Sequence, residues 1–107
     1  MSGTGDGEEE YRGPVTVVVD GAEVFVDAHL AGHFDPLTGT YRWVGRLAPA
    51  PEVSARFAAG RRAVLLRTPD GHEGRGELLE ADLWGGHRVR GSGRPPFAVP
   101  ELRADEL

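Results

Sequence analysis

Five amino acids are missing from this 107-residue chain: cysteine, lysine, asparagine, glutamine and isoleucine. The lack of cysteine excludes disulfides, thiolate nucleophiles, iron–sulfur clusters and cysteine-ligated zinc. No run of about 18 apolar residues occurs, so no membrane-spanning helix is expected. The N-terminus carries no charged-then-apolar pattern, so no signal peptide is expected, and the chain reads as cytoplasmic. All twelve basic residues are arginine. Alanine, glycine, proline, arginine and valine have GC-rich codons, whereas lysine, asparagine and isoleucine have AT-rich ones. The arginine content therefore reflects a GC-rich genome before it reflects phosphate binding.

The length suits one domain, and a domain of this size buries only about two-thirds of its unfolded surface. The net charge is −5, but seven of the seventeen acids lie in the two ends. Between Tyr11 and Pro100, eleven arginines face ten acids, a net of +1. With no basic stripe in the linear sequence, nucleic acid is not an expected partner. Residues 1–10, "MSGTGDGEEE", read as a disordered acidic tail, 11–100 as a single β domain, and 101–107 as a C-terminal tail.

Alternation sets the fold class. In "PVTVVVD" Val15, Val17 and Val19 share a face, and Asp20-Gly21 is the residue pair of a type I′ hairpin turn. If Val19 pairs with Ala22, Val17 meets Val24 and Val15 meets Val26, so the apolar faces agree. The stretch "HLAGHFDPLTGTYRWVGRL" makes a second hairpin around Asp35–Thr40. Pairing Phe34 with Tyr41 sets Gly32 against Trp43 and Leu30 against Gly45, a large residue over each glycine gap. The same register puts His33 beside Arg42 and His29 beside Arg46 on the other face. Glu52–Ala59 reads as a short helix stopped by Gly60. "RAVLLRT", "EGRGELLEADLW" and "HRVRGSG" supply three more strands, with Gly74 opposite Leu66 and Gly76 opposite Val64. "RPPFAVP" is too proline-rich for a central strand and should run as an edge or a wrap. The expected fold is mainly β: a small antiparallel barrel or sandwich of about six strands with one short helix. Trp43, Trp84, Tyr41, Phe34 and Phe97 are its expected large anchors.

The chemistry-bearing motifs are sparse. His29 and His33 sit four apart on a strand, about 13 Å, too far to share a metal unless Gly32 bulges the strand. Ser54 and Ser92 lie in no nucleophile motif. "GRGE" and "RGSGRPP" fit no phosphate loop. Acid–base chemistry by His33 or His29 stays open. A site, if present, draws on Tyr41, Arg42, Trp43, Arg46 and Trp84 beside those histidines. The cations suit an enolate, carboxylate or phenolate. The aromatic members point to the opposite sheet face in a regular strand, a geometric conflict that only a kink or the barrel mouth resolves.

"YRGPVTVVVDG", "LAGHFDPLTGTYRWVGRL" and "DLWGGHRVRGSGRPPF" together resemble an uncharacterised family of small actinobacterial domains. The resemblance implies that such domains occur alone or appended to flavin-dependent monooxygenases. It implies a setting in oxidative or specialised metabolism and supplies no catalytic residue. The chain itself has no Gly-x-Gly-x-x-Gly dinucleotide unit and implies no cofactor. Two functions remain open. One is a module that binds a small organic metabolite or accompanies a flavin-dependent monooxygenase. The other is a cofactor-independent β-barrel cyclase or isomerase using acid–base catalysis. The spacing forces no catalytic constellation, which favours binding. A homodimer is left open.

Overall fold

The computed structural model describes residues 8–97, with side chains from residue 10 onward. Six strands and one helix follow in the order β1 (Glu8–Val19), β2 (Ala22–Asp35), β3 (Thr40–Leu47), α1 (Pro51–Ala58), β4 (Ala63–Arg67), β5 (Glu73–Ala81) and β6 (His87–Ser92). They close into an antiparallel barrel of order β1-β2-β3-β6-β5-β4. β1 starts at Glu8, inside the segment set aside as a tail. Residues 1–7 and 98–107 lie outside the described part of the chain.

Both hairpin registers follow the hydrophobic pattern. Val19 pairs with Ala22, Val17 with Val24 and Val15 with Val26. Asp20 and Gly21 both take positive φ, 53° and 80°, as a type I′ turn requires. Phe34 pairs with Tyr41, Gly32 with Trp43, and Leu30 with Gly45. Val64 faces Gly76 and Leu66 faces Gly74 across β4 and β5. The helix begins one residue earlier than expected, with Pro51 in its first turn, where a missing N–H costs nothing.

One inward layer fills the waist of the barrel. Gly32, Trp43, Gly91 and Gly76 stand side by side across β2, β3, β6 and β5. Trp43 is 1% exposed. A Cβ at Gly91 or Gly76 would meet the Trp43 ring at 2.5 Å and 2.8 Å, so the indole lies over those two glycines. The gap at Gly32 is taken by Tyr41, the diagonal neighbour, not by its direct partner Trp43. Leu30 occupies the gap at Gly45, as the register predicts.

The anchors divide in a way alternation alone does not show. Trp43 and Phe97 are buried, and Tyr41 packs partly against the core. Phe34 shares parity with the core residues but sits at the strand end, where the barrel mouth leaves it exposed. Trp84 is exposed on the β5–β6 turn. The segment after β6 wraps rather than pairing: Pro96 packs where a Gly74 Cβ would stand, and Phe97 enters the core.

The β4–β5 turn holds its carboxylate firmly. Thr68 Oγ1 donates to Asp70 Oδ1, and His72 Nδ1 lies 3.0 Å from the same oxygen. The Thr68 hydroxyl first, then His72, hold the Asp70 carboxyl well below its ordinary value, at about 2. A carboxylate with a depressed folded-state pKa adds stability that is present above its unfolded pKa and is lost as pH falls through the folded one. The thermal midpoint of Asp70→Asn should therefore fall less than that of wild type between pH 3.8 and about 2. Parallel acid limbs in the two proteins would show that this turn does not couple to global unfolding.

Candidate functional site

The outward residues of five neighbouring strands form transverse rows, because side chains on one face recur every second residue. Arg12, His29, Arg46 and Arg88 make one row across β1, β2, β3 and β6. Glu10, Ala31, Val44, Arg90 and Glu77 make the next, which reaches β5. His33, Arg42 and Ser92 make a third. The first row holds three arginines and a histidine, with no acid among them. Like charges directly across a strand pair are destabilising unless something compensates them.

Acids from adjoining rows and turns supply most of that compensation. Glu10 lies 3.4 Å from His29 and 4.0 Å from Arg12. Arg42 Nε donates to Asp35 at 3.2 Å, and Arg90 holds Glu77 at 3.1 Å. Arg46 Nε donates to Asp82. Arg88, directly opposite Arg46, has no ion-pair partner among the described residues. Arg88 and, on β5, Arg75 are cations of this face without an ion pair among the described residues.

Two turns fix the arginines. Asp82 Oδ1 accepts from the Trp84 and Gly86 N–H groups at 2.9 and 3.1 Å, while Oδ2 accepts from Arg46. The Asp82 carboxyl is accordingly held below its ordinary value, by Arg46 first and those amides after it. At the other end, the Leu37 amide, followed by Thr38 and Arg42, lowers the Asp35 carboxyl. Trp84, 72% exposed, stands with its ring centroid 5.5 Å from the Arg46 guanidinium. That contact is a cation–π pair on a turn whose backbone is hydrogen-bonded on both sides.

Two shallow grooves run along this face. One, of about 390 Å³, is lined by His29, Arg46 and Arg88 of the first row and by Ala31, Val44 and Arg90 of the second. Val44 is 57% exposed. The other, of about 460 Å³, lies between Arg42, Arg75, Glu77 and Arg90. The sequence-derived residues therefore separate. His29 and Arg46 line one groove, and Arg42 lines its neighbour. His33 pairs with Arg42 in the third row, away from Arg46. Trp43 is inside the barrel and Tyr41 packs inward over Gly32, so neither ring forms a wall of the outer grooves. Trp84 stands beside Arg46 at the turn. The sheet stays regular at Gly32 and Gly45, so the two faces are not merged.

Sequence reasoning missed His87. It is 3% exposed, its Nδ1 donates to the Leu79 carbonyl at 2.9 Å, and its Nε2 lies 3.1 Å from Ser54 Oγ. Its ring packs 4.9 Å from Phe57. His87 thus ties α1 to β5 and β6. The available signal was parity, since His87 alternates with Val89 and Gly91 on the inward face. Among the described residues, no three His, Asp or Glu side chains converge as metal ligands. No helix of the described residues is long and apolar enough to cross a membrane.

A family profile described as "Domain of unknown function (DUF4873)" matches residues 8–99. The chain is similar to the "Uncharacterized protein Mb0968c" of Mycobacterium bovis, 37% identical over 92 residues. It is similar to the same extent to the "Uncharacterized protein Rv0943c" of Mycobacterium tuberculosis. In each case 85% of this chain is covered but only 25% of the relative. The chain thus spans about a quarter of the length of the curated relatives it matches. No solved structure matches it significantly.

Proposed function

Because the chain belongs to the DUF4873 family of small actinobacterial domains, we propose that it serves as a binding or accessory domain in oxidative or specialised metabolism. The reading has the domain hold a small organic metabolite on its outer sheet face, beside a flavin-dependent monooxygenase that makes or consumes it. The observation that carries this reading is the groove over β2, β3 and β6. It sets His29, Arg46 and Arg88 against an exposed Val44, whereas Trp43 and the aliphatic core fill the barrel interior. A domain that corresponds to a quarter of a longer relative leaves room for the chemistry to reside elsewhere in such a chain.

One observation favours the enzymatic alternative, a cofactor-independent cyclase or isomerase. His29 and Arg46 line the same groove, so a proton acceptor and an oxyanion-stabilising cation could face one substrate. Ligand-observed NMR with mass spectrometry separates the two readings. The purified domain is mixed with the substrate and the product of a flavin-dependent monooxygenase. Binding without chemical conversion, with amide shifts at Ala31, Val44 and Arg88, is the expected result. Conversion abolished by His29→Ala would replace the accessory reading with the enzymatic one. Absence of both binding and conversion would remove this groove as the site.

A further inference from the structure

The groove combines two features that select one ligand chemistry. Its floor is apolar: Ala31 and Val44 are cross-strand partners on the outer face, and Val44 is largely exposed. One row away, Arg46 and Arg88 stand directly opposite each other, and only Arg46 has a carboxylate partner. Residues i and i+2 on a strand are about 7 Å apart, roughly the length of an aromatic ring with its acid group. A flat ring resting on Val44 and Ala31 therefore brings its acid group level with the arginine row.

The charges on the surrounding strands fix the sign. From β1 come Arg12 and Glu10, from β2 His29, from β3 Arg46, from β6 Arg88 and Arg90, from β5 Glu77 and Glu80, from the β5–β6 turn Asp82, and from the residue before β4 Arg62. Five arginines thus face four acids, a surplus of one cation, and Arg88 has no ion-pair partner among the described residues. Arg46 uses Nε for Asp82, and its terminal nitrogens make no ion pair among the described residues. A guanidinium with free terminal nitrogens binds a carboxylate in two-pronged fashion.

Resting on the binding-domain reading above, we propose that the site takes an aromatic monoanion, a ring-bearing carboxylate or phenolate. Its ring lies on Val44 and Ala31, and its acid group lies between Arg88 and Arg46. Arg88 is the residue that selects for the anion, and Val44 the residue that selects for the ring.

The test is a two-dimensional amide NMR titration of the whole chain with four probes: 2-naphthoate, 2-naphthamide, acetate and benzoate. Expected are saturable shifts at Ala31, Val44 and Arg88 with 2-naphthoate and, more weakly, with benzoate. The neutral amide should bind at least about tenfold more weakly than 2-naphthoate, the scale of one charged hydrogen bond, and acetate at least about tenfold more weakly through the lost burial of the ring. Arg88→Gln should lose about tenfold toward 2-naphthoate, and Val44→Ser should lose several-fold. Arg12→Gln, at the far end of the same row, should bind as wild type does. Both binding variants are surface changes, and an unperturbed spectrum outside the groove establishes that they are folded. Equal binding of naphthamide and naphthoate would overturn the anionic class while leaving a binding domain in place. Unchanged affinity in Arg88→Gln would overturn the assigned residue. Absence of saturable shifts in wild type with every probe would overturn the proposal itself. The accessory reading would then stand or fall on the monooxygenase substrate and product.

Discussion

Trp43→Ala is expected to leave the domain largely unfolded under conditions where the wild type is folded. Trp43 is the largest fully buried side chain and lies in the layer that spans β2, β3, β6 and β5. Truncating a buried tryptophan typically costs about 3–5 kcal/mol. A domain of this size has a total stability not far above that range. Loss is amplified here because the indole lies over two glycines, Gly91 and Gly76, which have no side chains to move into the void. Trp43 Nε1 has no hydrogen-bond partner among the described residues, so its contribution is packing rather than polarity. Trp43→Phe should accordingly keep much of the stability that Trp43→Ala loses. Urea unfolding followed by circular dichroism checks both, since fluorescence would lose its main reporter. A wild-type midpoint in Trp43→Ala would mean that the barrel waist collapses without cost.

Gly91→Val is the complementary experiment, and its expected effect is of the same order. The first added carbon would stand 2.5 Å from the indole and 2.6 Å from the Arg75 carbonyl oxygen. The indole could tilt, but the carbonyl belongs to the neighbouring strand and cannot retreat without opening the β5–β6 ladder. Forcing extra carbon into a filled core costs about 1–3 kcal/mol, and a branched side chain falls at or above the upper end. Gly91→Ala should lie near the lower end. The two sites should couple: in the Trp43→Ala background, Gly91→Val should cost distinctly less than it does alone. Strict additivity in the double-mutant cycle would show that the Arg75 carbonyl, not the indole, sets the penalty.

Much of this architecture was legible in the residues. A register slip of one position would turn Val15, Val17 and Val19 outward, so alternation and the Asp20-Gly21 turn leave one pairing for the first hairpin. The second hairpin was determined in the same way, and with it the shared face of His29, Arg46, His33 and Arg42. The short helix followed from the prolines before it and Gly60 after it.

Local pattern could not say which aromatic fills which glycine gap. Tyr41 covers Gly32 and Trp43 covers Gly91 and Gly76, because an indole reaches diagonally and across strands that lie far apart in sequence. Phe34 has the parity of a core residue, yet the end of the barrel leaves nothing above it to pack against. Trp84 and Trp43 read alike as large aromatics, but one sits on a turn and the other at the waist. Ser54 and His87 are 33 positions apart and meet only because α1 folds over β5 and β6.

The sequence by itself determined the alternation, the two hairpin registers and the absence of cysteine chemistry. These rest on period-two geometry and on residue type, which need no knowledge of distant neighbours. Barrel closure decided the rest. Pairing β3 with β6 set Arg88 directly across from Arg46, and pairing β1 with β2 carried the same row out to Arg12. A chain with no basic run in its linear order thus acquires a cationic row beside an exposed valine. The reason is that strand order, unlike strand pattern, is fixed by long-range backbone hydrogen bonds and by a single shared core.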